Sequence, residues 1–220
     1  MKRTPVEPPV VVPPVVEEPV VEDPVVEPVE VVIPEVVPDT IVPVPCPEGQ
    51  WRLYTNAPAW AAAVTNIAAE YDFHPLWSAN LYMGWSAWNY GHVVRKFRTS
   101  VFRPEIRRWF RCGHEGVYVE GHLTAQYYNV ALPSWRYRIQ DRGAHSPALG
   151  GGVGAGYRLN LGGSGHWALE GSLGVGGYWL RYDRFLNERN GRKVDTRERG
   201  WFGVDHVALS VVYTINPPKK

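Results

Sequence analysis

An alternation of apolar and polar residues is the strongest pattern in the chain, and it begins after Trp51. Residues 148–161 show it most clearly, with apolar side chains at most odd positions and mainly glycine at the even ones. Because successive side chains of a strand point to opposite faces, this segment is predicted to be a strand with one apolar face and one small or polar face. The same period of two recurs in five further segments, at residues 77–89, 96–111, 117–131, 167–183 and 204–215.

The lengths of these strands and of their connections favour one architecture. The strands have about 12–16 residues, whereas strands of soluble proteins usually have five or six. Connections alternate in length, with short ones at 74–75, 112–116 and 162–165, long ones at 132–147 and 185–203, and one of intermediate length at 90–95. Short turns at one rim and longer loops at the other are typical of an outer-membrane β-barrel.

To keep this alternation, residues 51–73 must supply two strands, which we place at 51–58 and 65–73. The predicted fold class is therefore all-β, an eight-stranded antiparallel transmembrane β-barrel over residues 51–216, followed by a short tail at 217–220. Both termini then lie on the short-turn side. Residues 57–70 are rich in alanine and are also compatible with a helix, so this hairpin stays open.

Charged residues on the polar faces form the first candidate site. Nine of them face the lumen in this arrangement: Arg52, Glu70, Asp72, Arg103, Glu105, Arg107, Glu120, Arg158 and Glu170. Five acids and four bases nearly cancel, as buried charges must. We expect a structural salt-bridge network that fills a narrow eight-stranded lumen, with ion conduction as the alternative. A soluble sandwich would instead turn these side chains to water.

Aromatic residues fall into two groups near the ends of the predicted strands. The group near short turns comprises Trp51, Phe73, Trp77, Trp109, Phe110, Trp167 and Tyr213. The group near longer loops comprises Trp85, Tyr127, Tyr128, Trp179, Trp201 and Phe202. Aromatic rings prefer the two interfaces of a bilayer, so these groups predict two girdles around a membrane barrel.

The first 50 residues differ in kind from the rest. They hold 13 of the 20 prolines and 17 valines but no aromatic residue, and ten acidic against two basic residues set their formal charge at −8. The other 170 residues hold 21 basic and 12 acidic residues, a charge of +9. Frequent prolines prevent helix and sheet, so we expect an extended, disordered arm in the periplasm. A passive spacer is the expected role, and a contact of the arm with a protein or with peptidoglycan is the alternative.

The predicted surroundings follow from this division. Outer-membrane lipid is the expected partner of the barrel, and nucleic acid is disfavoured because the basic residues are scattered among apolar ones. Residues 4–8, TPVEP, cannot serve as the apolar core of a signal peptide after Met1-Lys2-Arg3, so export requires that a leader has been removed.

Several segments resemble a known but uncharacterised family. The segment 102–112, FRPEIRRWFRC, followed by Gly121-His122 and by 126–130, QYYNV, is similar to a domain of unknown function found in small outer-membrane barrels of Bacteroides-type bacteria. Residues 54–56, 167–176 and 181–185 also match, and the likeness covers about 51–215. The resemblance implies an outer-membrane barrel of about eight strands without an established activity, cofactor or catalytic residue. It also implies a link to surface-appendage assembly, because family members are often encoded beside fimbrial genes.

The two cysteines form the second candidate site. In the predicted topology Cys46 and Cys112 both lie on the periplasmic side, and the residues between Cys46 and Trp51 give enough slack to cross the rim. We therefore predict a disulfide bond between them, as is usual in an oxidising compartment. Two free thiols are the alternative.

Other chemistry is weakly indicated. The seven histidines lack metal-binding spacing, so no metal site and no cofactor are predicted. Asp141, His145 and Ser146 are the one compact set for a nucleophile and base, and a barrel enzyme acting on lipids is the runner-up to a non-enzymatic structural or interaction role. Five loop residues are candidates for contacts with surface glycans or lipids: Trp135, Arg136, Arg138, Arg192 and Lys193.

Overall fold

The computed structural model describes Cys46, residues 48–89 and residues 95–217, so most of the predicted arm and most of the predicted tail lie outside the described residues. Within these ranges the chain forms nine strands: β1 (Trp51–Asn56), β2 (Thr65–His74), β3 (Trp77–Asn89), β4 (Lys96–Trp109), β5 (Gly116–Ala131), β6 (Tyr137–Asp141), β7 (Ala148–Leu161), β8 (Trp167–Leu186) and β9 (Lys193–Ile215). The one helix there, α1 (Ala57–Ala61), has five residues, far too few to cross a membrane.

All nine strands belong to one antiparallel sheet with the order β4-β3-β2-β1-β9-β8-β6-β5-β7. Two additional pairings join β4 to β5 and β8 to β7. The short strand β6 pairs with β5 at residues 129–130 and with β8 at residues 182–186. It therefore lies between these two strands beyond the point where β7 begins to pair with both of them.

The strands differ from the prediction in the regions expected to be long loops. The predicted loop 132–147 contains β6, and most of the predicted loop 185–203 is strand, because β8 extends to Leu186 and β9 begins at Lys193. The prediction of eight strands, with open loops in these regions, is therefore wrong in its count. Polar residues occupy both faces of the β8–β9 extension, which hid its period of two. Cross-strand ion pairs hold it together, such as Arg184 with Asp195.

The alanine-rich segment divides between the two interpretations. The first strand ends at Asn56 rather than at Pro58, and α1 follows with a proline in its first turn, a position that proline tolerates well. From Thr65 onward the chain is strand, and it pairs with β1 and β3. The helix is therefore confined to the connection, and the predicted strand 65–73 is present as β2.

The two faces of the sheet have opposite characters. On β5 the side chains of Glu120, His122 and Thr124 are buried, whereas Leu123 between them is 67% exposed. The same alternation runs through β2, β3, β4 and β8. Five of the buried apolar side chains in the described residues form a small cluster, namely Tyr54, Ala68, Tyr82, Ala168 and Val212. Most of the buried face is therefore polar and the other face is apolar.

The exposed aromatic rings include most of those predicted to lie near strand ends. Trp51, Phe73, Trp167 and Phe202 are all exposed on the apolar face. Trp109 is an exception with no exposed surface, and its expected place in a girdle is wrong. Its odd position places it on the same face of β4 as the buried charges, and its indole N–H donates to Ser78 Oγ at 2.9 Å.

Candidate functional site

The nine predicted charged residues lie together on the buried face, where they form what we call the charge network. Arg107 on β4 lies at its centre. Its guanidinium contacts carboxylates from four strands: Glu70 at 3.0 Å, Glu105 at 2.8 Å, Glu120 at 3.4 Å and Glu170 at 3.0 Å. One cation therefore ties together β2, β4, β5 and β8.

Arg158 on β7 forms a second centre of the charge network. Its guanidinium lies 2.5 Å from both Glu70 and Glu170, so these two carboxylates bridge the two arginines. Its guanidinium carbon also lies 4.5 Å from the ring centre of Trp109. Tyr118 donates to Glu170 Oε1 at 2.9 Å. The ion pairs are thus combined with cation–π and hydroxyl contacts, which reduce the cost of burying the charges.

The remaining members extend the charge network toward both ends of the strands. Arg52 pairs with Asp72, and His114 Nδ1 lies 2.5 Å from the same Asp72 carboxylate. Arg103 donates to Glu105 at 2.7 Å. Each of the nine predicted residues therefore has a partner of opposite charge, as buried ions require.

Glycines on β7 and β8 make room for these side chains. A Cβ atom at Gly154 would lie 2.9 Å from Glu120 Oε1, and one at Gly174 would lie 2.1 Å from His206 Cε1. A Cβ at Gly176 would lie 2.4 Å from Asp205 Oδ2. Large polar side chains from other strands therefore fill the space beside these glycines, and a side chain at the same positions would overlap them.

Four of those side chains form a compact group that we call the histidine site. It contains Glu120 and His122 from β5, and Asp205 and His206 from β9. One ligand atom from each of Glu120, His122 and His206 lies within 4.8 Å of the others. His122 Nε2 donates to Asp205 Oδ2 at 2.6 Å, and His206 Nδ1 lies 3.1 Å from Asp205 Oδ1. His206 Nε2 lies 2.9 Å from Glu120 Oε1.

Sequence reasoning missed the histidine site because β5 and β9 are distant in sequence and do not pair with each other. A signal was nevertheless present. Glu120 and His122 are two residues apart, so they share a face of one strand, and His206 lies on the polar face predicted for another. What the sequence did not contain was that these two faces meet.

A cavity of about 300 Å³ adjoins the histidine site. Asp205 and His206 line it together with Tyr178, and the chain around α1 contributes Pro58 and Val64. Tyr178 also donates a hydrogen bond to Asp205 at 3.1 Å. A second cavity of about 430 Å³ shares Tyr178 and Asp205 and extends to Trp135. The histidine site is therefore reached from the end of the sheet that carries α1 and β6.

The five candidate loop residues lie at this same end, and some of them contact other residues of the chain. Arg138 lies over the ring of Phe185 at 4.3 Å, and Lys193 forms an ion pair with Asp183 at 2.7 Å, so both are engaged within the chain. Trp135, Arg136, Arg192 and Lys193 are exposed, and Arg136 also lies over the ring of Tyr137 at 5.5 Å. Beyond Trp179 β8 pairs with β6 and β9 and no longer with β7. In this projecting part, hydrogen bonding to Arg184 lowers the pKa of Asp195 to about 2.

The three residues considered for catalysis are placed close in the chain but serve other contacts. Asp141 ends β6 and is buried, and its Oδ1 accepts from the Tyr128 backbone N–H at 3.3 Å. Ser146 pairs with Arg142 through the backbone. Within the described residues, no hydrogen bond joins the side chains of Asp141, His145 and Ser146. These three side chains therefore do not form a hydrogen-bonded nucleophile and base.

A disulfide bond joins Cys46 to Cys112, the pair expected from the sequence, with a Cα–Cα distance of 5.4 Å. It connects the chain just before β1 to the turn between β4 and β5. Nearby, the Gly49 N–H donates to the Asp72 carbonyl at 2.8 Å. The chain that precedes the sheet is therefore attached at two points to the same end of the strands.

We expect this bond to be detectable by mass. Alkylation of the unfolded full chain should add no mass before reduction and two alkyl groups after it, because both sulfurs are engaged in the bond. A Cys46→Ser, Cys112→Ser double variant is the control and should take up none in either state. Equal alkylation of the parent chain with and without reduction would contradict the disulfide.

Comparison with known proteins adds a family but no activity. No curated protein matches the sequence significantly. A family model described as "Protein of unknown function (DUF3575)" matches residues 41–215, which is most of the chain and all nine described strands. The uncharacterised family expected from the sequence is thereby confirmed, and the chain belongs to the family described as protein of unknown function DUF3575.

Proposed function

We propose that this protein is an integral outer-membrane β-barrel with a filled lumen, which acts as a structural or interaction protein at the cell surface. The proposal has three parts, namely closure of the sheet, insertion into a membrane and a non-conducting interior. The residues that carry each part are different.

Closure is supported by the strand pairings. Eight strands pair in the cyclic order β1, β2, β3, β4, β5, β7, β8, β9 and again β1, since β9 pairs with β1. In that circuit no strand keeps a free hydrogen-bonding edge, which is how transmembrane sheets satisfy their backbone groups. The short strand β6 is then an addition to one rim and not a ninth member of the barrel wall.

Insertion into a membrane is supported above all by the inverted polarity of the sheet, and this observation carries the proposal. Arginines and carboxylates fill the buried face, whereas large apolar side chains such as Leu123, Val153 and Phe202 are more than half exposed. In water such a continuous apolar surface would be strongly unfavourable, since soluble proteins rarely expose large apolar patches. A lipid environment removes that cost.

A non-conducting interior is supported by the charge network. Arg107 and Arg158 connect carboxylates from opposite walls, and Trp109 and Tyr118 fill the space beside them without any exposed surface. Eight strands enclose only enough room for side chains. We therefore favour a structural role over ion conduction, and we place the acidic proline-rich segment in the periplasm as a spacer. A link to surface-appendage assembly belongs to this proposal.

Heat-modifiable mobility of the full chain tests insertion and closure together. Protein folded in detergent should migrate faster on a gel before boiling than after, because a closed barrel resists the dodecyl sulfate until heated. The full chain should also sediment with membranes and enter solution only with detergent. A chain that stays in aqueous solution without detergent, with a single mobility before and after boiling, would contradict the membrane proposal.

Conductance separates the structural role from the pore. Reconstituted into planar bilayers, the folded chain should give no discrete current steps, because ion pairs occupy its lumen. A porin inserted under the same conditions is the positive control. Regular steps that depend on protein concentration would favour the ion-conducting alternative.

A further inference from the structure

We propose that Glu120, His122 and His206 bind one Zn²⁺ ion. The site lies on the buried face and uses none of the exposed apolar residues. It is therefore independent of the membrane proposal, and either can fail without the other.

The first argument is the set of buried polar atoms that have no hydrogen-bond partner. Asp205 occupies one ring nitrogen of each histidine. The other nitrogens, His122 Nδ1 and His206 Nε2, are buried and neither donate nor accept a hydrogen bond. Both carboxylate oxygens of Glu120 are also buried without a hydrogen-bond partner. The 2.9 Å approach of His206 Nε2 to Glu120 Oε1 lacks the alignment of a hydrogen bond. Buried polar atoms of this kind are rare and costly, and a metal ion would satisfy them.

The second argument is the chemistry of the donors. Two imidazoles and one carboxylate are a common zinc set when a fourth position is left to water or substrate. Ligating histidines usually give their other ring nitrogen to a carboxylate, which orients the ring. Asp205 has this relation to both His122 and His206. A tetrahedral site needs ligand atoms about 3.4 Å apart, so the 4.8 Å spread requires side-chain adjustments of about 1 Å.

The third argument is charge. The charge network and Asp205 together contain six carboxylates and four guanidinium groups, which leaves two negative charges when the histidines are neutral. Both histidine side chains and the carboxylates they contact are nearly inaccessible to solvent. An uncompensated charge in such a place is strongly unfavourable. One divalent cation balances it, and protonation of both histidines is the competing explanation.

An ion can reach the site from the adjoining cavity of about 300 Å³, because Asp205 and His206 line its wall. Glu120 and His122 lie behind them and are buried. Of the first-row divalent ions, those that accept imidazole nitrogen and carboxylate oxygen without a strict geometry suit this set best. Zn²⁺ meets that description and is redox-inert, which makes it the appropriate probe.

Titration calorimetry with Zn²⁺ tests the proposal on the full chain, freed of metal with a chelator and kept folded in detergent or, where the chain dissolves without detergent, in buffer alone. The parent protein should bind one equivalent. His206→Gln and His122→Gln should each weaken binding by about 100-fold or more, since each removes one of three ligands. His114→Gln is the matched control, because His114 is equally buried and faces a carboxylate but lies outside the histidine site. It should bind Zn²⁺ as the parent does.

A pH series tests the ligand chemistry without any substitution. Affinity of the parent chain should fall from pH 7.5 to pH 5.5, because protons compete for the imidazoles. Absence of saturable binding at one equivalent would overturn the proposal, as would parent-like affinity in both His122→Gln and His206→Gln. If either variant loses the far-ultraviolet circular dichroism of the parent, Glu120→Gln replaces it, since the amide keeps the shape of the side chain. Parent-like affinity in that variant would overturn the proposal equally.

Discussion

Replacement of Arg107 by glutamine should lower the free energy of unfolding by about 3–5 kcal/mol, the cost of leaving buried charges without their partner. Arg107 contacts four carboxylates from four strands, and its side chain is almost inaccessible to solvent. Without it Glu105 keeps Arg103, and Glu70 and Glu170 keep Arg158. Several carboxylates then repel one another across a space that water does not fill. The effect should exceed that of any exposed arginine of the same strand.

Guanidinium unfolding of the detergent-folded chain, followed by tryptophan fluorescence, measures this effect. Arg98→Gln is the matched control, because Arg98 lies on the same strand and is exposed. Its free energy of unfolding should stay within about 0.5 kcal/mol of the parent value, as is usual for surface substitutions. Equal stability of Arg107→Gln and Arg98→Gln would show that the charge network contributes little to the fold.

Alanine at Gly174 should cost about 1–3 kcal/mol through overpacking, and it should also disturb the histidine site. The added Cβ would lie 2.1 Å from His206 Cε1, 2.4 Å from its Nδ1 and 2.9 Å from Asp205 Oδ1, so the imidazole and the carboxylate must shift. The ring has little free space, because Asp205 Oδ1 lies 3.1 Å from its Nδ1 and Glu120 Oε1 lies 2.9 Å from its Nε2. Zinc affinity should therefore fall together with stability.

Gly171→Ala is the control on the same strand, since nothing lies within 4 Å of a Cβ atom there. Gly171 occupies the opposite face of β8, three residues before Gly174. The control should unfold at the parent midpoint and bind Zn²⁺ normally. A Gly174→Ala variant that behaves like the control in both measurements would mean that the sheet relaxes around the added methyl group.

Local alternation made most of the fold predictable. Five of the six segments with a clear period of two became strands whose bounds match the prediction within three residues, and 77–89 and 148–161 match completely. The sixth began eleven residues earlier, at Lys193. The face on which each charged residue lies was equally predictable, because a strand residue such as Glu120 must point opposite to Val119. The prediction that nine charges share one environment follows from that geometry alone.

The parts that escaped prediction depend on contacts between distant residues. β6 has only five residues and a weak pattern, and it exists because the ends of β5 and β8 offer it partners on both sides. The extension of β8 and β9 is polar on both faces and is held by ion pairs across the hairpin. The closeness of Trp109 to a turn predicts a place in the aromatic girdle, whereas its odd position on β4 puts it on the same face as Arg107. The second indication is the correct one.

The sequence by itself determined most of the strands, the faces of their side chains and the difference in composition between an acidic proline-rich segment and an aromatic, glycine-rich one. These properties depend only on the spacing of residues along one segment, so a period of two can be recognised within a single strand. Tertiary structure alone decided which polar residues meet. Glu120 and His122 lie close to Asp205 and His206 because β5 and β9 face each other across a glycine-lined region of β7 and β8. The distance between two strands cannot be read from the spacing of residues within either of them.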